Sequence, residues 1–187
     1  MRQPIVLASR SPRRAQLLRA AGIPFDLGPF PDVDERIPAD LAPPEAARRL
    51  AERKARAVMP RVPGRTVLAA DTLVFLPEEV LTKPRDGADA QRMLGCLSGR
   101  THAVATGVAV GRGGALRSAV EVTQVAFRIL DASEIAAYVE TGEPLDKAGA
   151  YGIQGGAAAF VAHVEGGLDT VIGLPVALAL RLLQPHP

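Results

Sequence analysis

One apolar segment near the middle of the chain limits the possible folds more than any other feature. Residues 66–76 form a near-continuous apolar run that Asp71 and Thr72 interrupt. A short apolar run without alternation predicts a central β-strand that is buried on both faces. A carboxylate in such a strand is costly unless it is paired or bound to a metal. The run therefore predicts a layered fold and marks Asp71 as a functional residue.

Predicted strands alternate with predicted helices along the chain, which favours an α/β fold. No repeat and no linker divides the sequence, so we expect residues 1–187 to form a single domain. The apolar patterns, caps and breakers predict strands at 4–8, 66–76, 103–110 and 119–130, and helices from Ser11-Pro12 to near Gly22, from Pro43 to about Met59, from Asp86 to about Leu97, from Asp131 to Gly142 and from Pro175 to about Gln184.

The composition excludes several classes of protein. The formal charge is only +2 and no basic block is long, so a surface for nucleic acid is not expected. The single cysteine, Cys96, excludes an intrachain disulfide and a multi-cysteine metal site. No signal peptide and no apolar stretch of membrane-spanning length is visible, so we expect a cytoplasmic protein that does not enter a membrane.

Lysine is rare in this chain. Only Lys54, Lys83 and Lys147 occur among the 22 basic residues, and the others are arginines. A retained lysine indicates either a need for a compact, titratable point charge or chance survival on the surface. The context favours function for Lys54, because it lies between Leu50 and Val58 on the apolar face of a predicted helix. An ammonium there must meet an anion or reach solvent.

The predicted first helix begins with positive charges, which are unfavourable at a helix N-terminus. Ser11 is a typical N-cap, Pro12 is typical of the first helical position, and Arg13 and Arg14 follow in the first turn. The helix dipole favours anions at this end. Exposed arginines tolerate this at small cost, but we favour a second interpretation, in which the helix N–H groups and both arginines converge on a bound phosphate.

Cations and carboxylates gather in four stretches rich in small residues. This inventory suits phosphoanhydride chemistry, because carboxylates hold Mg²⁺ or Mn²⁺ and orient water, while cations neutralise phosphate oxygens. No Walker A motif and no paired-histidine zinc motif is present. The four stretches are Ala8-Ser-Arg-Ser-Pro-Arg-Arg14, Ala69-Ala-Asp-Thr72, Leu81-Thr-Lys-Pro-Arg85 and Glu143-Pro-Leu-Asp-Lys-Ala-Gly-Ala-Tyr-Gly-Ile-Gln-Gly155.

These motifs, in this order, resemble the Maf family of nucleoside triphosphate pyrophosphatases along essentially the whole chain. Arg10 departs from the family's usual Gly or Thr at a variable position. Ala70-Asp-Thr72 is similar to the family's central strand motif, whose Asp is held to be the proton acceptor. The further motifs that carry the resemblance are Leu7-Ala-Ser-Arg-Ser-Pro-Arg-Arg14, Lys83-Pro84, Leu97-Ser-Gly-Arg-Thr-His102, residues 143–155 and Val171-Ile-Gly-Leu-Pro175.

The resemblance implies a fold and an activity. The expected fold, which is similar to that of inosine triphosphatases, has a long central mixed sheet with helices and two lobes around a deep cleft. The expected activity is metal-dependent hydrolysis of dTTP and UTP to the monophosphate and pyrophosphate. Two alternatives remain: hydrolysis of 7-methyl-GTP or other modified nucleotides, and a septum-formation regulator that acts by binding. The resemblance is also compatible with a homodimer.

The resemblance further implies roles for individual residues. Asp34 is an alternative to Glu35, whose acidic loop is variable in the family, and Lys147 lies in a motif without an assigned chemical step. The implied catalytic residues are Ser9, Arg14, Lys54, Asp71 and Lys83, the implied substrate-binding residues are Ser11, Arg13, Thr72, Lys147 and Gln154, and the implied ligands of Mg²⁺ or Mn²⁺ are Glu35 and Asp71.

Overall fold

The computed structural model describes residues 3–37 and 41–184, in which strands and helices alternate as predicted. The strands are β1 Ile5–Leu7, β2 Phe25–Leu27, β3 Val67–Phe75, β4 Val80–Leu81, β5 Thr101–Arg112, β6 Ala115–Phe127 and β7 Val161–Glu165. The helices are α1 Pro12–Ala20, α2 Pro43–Val58, α3 Gly87–Leu97, α4 Ala132–Glu140, α5 Leu168–Ile172 and α6 Val176–Leu183. Short 3-10 helices lie at Met59–Arg61, Glu143–Asp146, Ala148–Ala150 and Gly156–Phe160.

In the described residues, seven strands form a mixed sheet in the order β2-β1-β3-β5-β6-β7, with β4 paired to β3. Strand β1 runs parallel to β2 and β3, whereas β4 is antiparallel to β3 and β7 is antiparallel to β6. The expected α/β class with a mixed sheet is therefore confirmed. The predicted elements do not include β2, β4, β7 or α5, each of which has five residues or fewer.

The chain forms two compact units. The first contains the described parts of Met1–Asp71, Thr106–Glu121 and Gly173–Pro187, and the second contains Thr72–Ala105 and Val122–Ile172. The single domain over residues 1–187 and the two lobes around a cleft stay predictions. No helix in residues 3–37 and 41–184 combines the length and the apolar character that crossing a membrane requires.

The first unit has two apolar clusters because successive strand residues point to opposite faces of the sheet. Leu7 of β1 and Leu68 of β3 pack with α1 and α6, whereas Val6 and Val67 pack with α2. Helix α2 contributes mainly alanines to its cluster, which allows a close approach to the sheet. Gly107 of β5 shows how close it is: a Cβ placed there would lie 2.3 Å from the Ala47 carbonyl oxygen.

The second unit packs α3 and α4 around an aromatic centre. Asp86 caps α3 by accepting from the Asp89 N–H at 2.8 Å, and α4 begins with the capping box that the sequence predicts. The buried His102 ring makes edge contacts with Phe127 and Tyr151, and its Nε2 lies 2.8 Å from the Tyr151 hydroxyl. These contacts support a structural role for His102.

Candidate active site

The loop between β1 and α1 builds the first part of the site. Ser11 is the N-cap of α1, and its Oγ accepts from the Arg14 N–H at 3.5 Å. The Ser11 N–H and the Arg14 Nη1 both donate to the Ser9 Oγ at 3.1 Å. The same guanidinium donates through Nε to the carbonyl oxygen of Gly173 at 2.8 Å. Ser9 and Arg14 are therefore held in one orientation at the start of the helix.

The pKa of Arg14 reflects its burial and its charged neighbours. Burial lowers the pKa of the Arg14 guanidinium below its usual value, and the charge of Arg13 lowers it further. Asp71 and Glu35 act in the opposite direction and raise it. The two arginines and two carboxylates are thus close enough to influence one another. The interpretation that Arg13 and Arg14 converge on a bound phosphate stays a prediction.

Helix α2 and strand β3 build the second part of the site. Lys54 lies on the buried face of α2, and its Nζ is 2.5 Å from Oδ1 of Asp71 and 2.6 Å from Oε1 of Glu35. The side chains of Lys54 and Asp71 are only 10% and 11% exposed. Of the alternatives that the sequence leaves open, Lys54 meets an anion rather than reaching solvent, and Asp71 is paired with a cation. A buried ammonium and carboxylate stay charged at low cost only when they are paired in this way.

The structure separates Glu35 from its acidic neighbour. Glu35 faces Lys54, whereas the Asp34 carboxylate accepts from the N–H and the guanidinium of Arg36, and these hydrogen bonds lower the Asp34 pKa to about 2. The guanidinium of Arg53 donates to the Asp34 carbonyl oxygen. Because Arg53 precedes Lys54 on α2, it ties the acidic loop to the helix that carries Lys54. Glu35, not Asp34, therefore shares a cation with Asp71.

Four predicted residues lie in the second unit. Thr72 follows Asp71 on β3, Lys83 is exposed just after β4, and Gln154 is exposed in the glycine-rich segment. The Lys147 ammonium donates to the Glu143 carbonyl oxygen at 2.5 Å and pairs with Asp146 at 2.7 Å. The roles of these four residues stay predictions, although the contacts of Lys147 indicate a structural function within its own segment.

The carboxylates of the first unit fit a hard divalent ion that also binds phosphate. Among the residues that the structure describes, no group of three or more His, Cys, Asp or Glu side chains could enclose a metal. Asp71 and Glu35 nevertheless meet at the same ammonium. Mg²⁺ in phosphate-transfer sites commonly uses one or two carboxylates, with water and substrate phosphates as the other ligands. Two carboxylates are compatible with such an ion, and metal binding stays a prediction.

Two contacts in the site escape sequence reasoning. Arg14 donates to the backbone carbonyl of Gly173, and Arg53 donates to the backbone carbonyl of Asp34. Backbone acceptors carry no residue-specific pattern. Gly173 does have a positive φ of 123°, which disfavours other residues, and it lies in the motif 171–175.

The fold and the site together define an α/β protein whose site contains a buried carboxylate paired with an ammonium, and a helix N-terminus that carries two arginines. The family model described as Maf-like protein matches residues 4–186, and the chain belongs to the Maf family.

Three relatives, each named dTTP/UTP pyrophosphatase, resemble it over nearly their full lengths. The protein of Symbiobacterium thermophilum is 53% identical over 181 residues, which covers 97% of this chain and 93% of the relative. That of Anaeromyxobacter dehalogenans strain 2CP-C is 52% identical over 184 residues, with 96% and 92% covered. That of Geobacter metallireducens is 51% identical over 183 residues, with 96% and 94% covered.

Proposed function

We propose that this chain is a nucleoside triphosphate pyrophosphatase that hydrolyses dTTP and UTP to the monophosphate and pyrophosphate. The observation that carries the proposal is the buried Lys54 ammonium, which Asp71 and Glu35 share beside the desolvated Arg14. The name that the relatives bear supports the choice of substrate. A cytoplasmic location, a homodimer and the lack of a nucleic acid partner stay predictions.

The residues of the first unit can perform the hydrolysis as follows. The Asp71 carboxylate orients a water molecule and accepts its proton as the water oxygen bonds to the α-phosphorus. The bond from the α-phosphorus to the bridging oxygen breaks, and pyrophosphate leaves with the electron pair. Lys54 holds the Asp71 carboxylate in place, and Lys54 and Arg14 stabilise the negative charge on the phosphate oxygens.

We also propose that Asp71 and Glu35 hold a divalent cation, Mg²⁺ or Mn²⁺, together with the phosphates. Such an ion would neutralise phosphate charge and favour departure of pyrophosphate. The ammonium of Lys54 keeps both carboxylates on one side of the helix, where their oxygens can reach the same ligand. The Ser9 hydroxyl, fixed by Arg14, and the N–H groups at the start of α1 add donors for phosphate oxygens.

The proposed choice of base depends on Arg13, Thr72 and Gln154. An exposed amide such as Gln154 can donate to a pyrimidine carbonyl and accept from the neighbouring ring N–H. A site built to hydrogen-bond these groups disfavours bases that leave its donors unpaired. Lys83 is an exposed cation that would bind a phosphate.

The decisive experiment is the isosteric variant Asp71→Asn, assayed by pyrophosphate release. We expect turnover to fall by at least roughly 10²-fold, because the proton acceptor is lost. Folding should persist, because Lys54 keeps Glu35 as a partner. Asp26→Asn is the matched control: Asp26 forms an exposed ion pair with Arg65, and its loss should leave turnover unchanged. Near-normal activity of Asp71→Asn would sink the assignment.

A panel of triphosphates separates the proposed substrates from the alternatives. Wild-type protein should release pyrophosphate from dTTP and UTP faster than from 7-methyl-GTP. The reverse order would favour a pyrophosphatase for modified nucleotides. Failure to release pyrophosphate from every nucleotide, with Mg²⁺ or Mn²⁺ present, would favour a protein that acts by binding.

A further inference from the structure

A single carboxylate holds both ends of the turn that carries Gln154. The Gly156 N–H donates to Oε2 of Glu143 at 3.0 Å, two residues after Gln154. Two residues before it, the Gly152 N–H donates to the Tyr138 hydroxyl oxygen at 3.0 Å. That hydroxyl in turn donates to Oε1 of Glu143 at 3.1 Å. Residues 152–156 are thereby fixed at both ends, with Gln154 at the centre.

The glycines of this turn make room for the carboxylate. A Cβ at Gly155 would lie 2.0 Å from Oε1 of Glu143, and one at Gly152 would lie 2.7 Å from the same oxygen. Real Cβ atoms essentially never show contacts under 3.0 Å, so a side chain at either position would force Glu143 to shift. Because the Gly156 N–H donates directly to the carboxylate, a change at Glu143 alters a contact of the turn's own backbone.

Tyr138 and Lys147 support Glu143. Burial raises the pKa of the Tyr138 hydroxyl, so the group stays a hydrogen-bond donor to the carboxylate at neutral pH. The Lys147 Nζ donates to the Glu143 carbonyl oxygen at 2.5 Å, and the Lys147 Cε would lie 2.7 Å from a Cβ at Gly152. The ammonium thus fixes the backbone of Glu143, while the stem of the same lysine packs against the turn.

The arrangement supports a part of the protein that is exposed. Residues 154–156 are all exposed, yet Glu143 and Tyr138 are partly or fully buried beneath them. Glycine-rich exposed turns are ordinarily free to change conformation, since glycine has more conformational freedom than any other residue. Fixing such a turn with hydrogen bonds to a carboxylate and a hydroxyl is useful when the side chain at its centre must meet a ligand in a defined position.

We propose that Glu143 is a positioning residue for base recognition, which acts through Tyr138 and the N–H groups of Gly152 and Gly156 to present the Gln154 amide. This inference rests on the proposed function. It also gives Lys147 a role, namely to orient Glu143 rather than to bind substrate. Neither Glu143 nor Lys147 needs to contact the nucleotide for this purpose.

The test compares base discrimination in Glu143→Gln and Tyr138→Phe with that of the wild type. UTP and CTP serve as probes, because the uracil C4 carbonyl and N3–H are replaced in cytosine by an amino group and an unprotonated N3. Removing a hydrogen bond to a charged group should lower the ratio of kcat/KM for UTP over CTP about tenfold. The loss should appear mainly in the KM for UTP, because the phosphate chemistry does not involve this turn. Glu140→Gln, an exposed carboxylate on α4, is the matched control and should retain the wild-type ratio.

The outcomes separate this inference from the proposed function. Wild type that is active on UTP, with an unchanged UTP to CTP ratio in both folded variants, would overturn the positioning role alone, and so would wild type that does not discriminate. Wild type that releases no pyrophosphate would remove the proposed function and the positioning role together. If Glu143→Gln does not fold, Tyr138→Phe decides by the same ratio. Hydrogen exchange at the Gly152 and Gly156 amides should accelerate in the variants, and unchanged exchange would also contradict the role.

Discussion

Gly107→Ala tests whether the close contact between α2 and β5 sets the position of Lys54. A Cβ at Gly107 would lie 2.3 Å from the Ala47 carbonyl oxygen and 2.5 Å from the Arg48 nitrogen, both of which are backbone atoms of α2. Ordinary contacts of a Cβ begin at 3.4 Å. Because no flexible side chain can move aside, α2 must retreat from the strand by about 1 Å, the difference between an ordinary carbon contact and the one found here.

The retreat of α2 should affect both stability and activity. Overpacking of this kind costs about 1–3 kcal/mol of unfolding free energy. Lys54 lies on the same buried face of α2, and its Nζ is 2.5 Å from Asp71. A displacement of about 1 Å would break that geometry, and misplacements of this size reduce turnover roughly 10²-fold. We therefore expect Gly107→Ala to lose about two orders of magnitude in kcat while it remains folded.

Urea unfolding and pyrophosphate release from UTP measure the two effects separately. Gly95→Ala is the control, because a Cβ at this exposed position of α3 meets nothing within 4 Å. It should stabilise the protein by roughly 0.8–1 kcal/mol through helix propensity and leave kcat unchanged. A Gly107→Ala protein with wild-type stability and wild-type turnover would refute the reasoning, since α2 would then tolerate the methyl group without moving.

Three further predictions concern pH, charge type and metal. Burial lowers the pKa of His102 to about 4, so the folded state binds fewer protons than the unfolded state between pH 4 and about 6.5. As the pH falls through this window, the unfolding free energy of the wild type, measured with urea, should therefore decrease by up to about 3 kcal/mol more than that of His102→Gln. Equal slopes of unfolding free energy against pH would contradict the buried neutral ring. Lys83→Arg should lower kcat roughly tenfold if a compact ammonium is needed, whereas full activity would mean that any cation serves there. EDTA should abolish pyrophosphate release and excess Mg²⁺ or Mn²⁺ should restore it; release that persists in EDTA would exclude the metal-dependent mechanism.

The sequence by itself determined the longer elements and the charges that they carry. Periodicity placed Lys54 on the buried face of α2, and an unbroken apolar run placed Asp71 inside β3. Local caps fixed where helices begin, as the Ser11 N-cap and the Asp131–Glu134 capping box show. Such features are visible in the sequence because each depends on residues a few positions apart, whose side chains meet wherever the helix or strand lies.

Only the tertiary structure decided which of these groups meet. From the sequence alone, Asp71 could pair with any cation, and Asp34 could take the place of Glu35 beside Lys54. In the structure Asp71 and Glu35 contact Lys54, whereas Asp34 is bound by Arg36 and Arg53. Strands β2, β4 and β7 were also not predicted, and each has five residues or fewer. The pairing of groups far apart in the sequence depends on how the elements pack, and the order of the residues does not give the distances between those groups. The burial of Lys54 and of Asp71 can be predicted from the sequence. That they pair with each other follows only from the packing of α2 against β3.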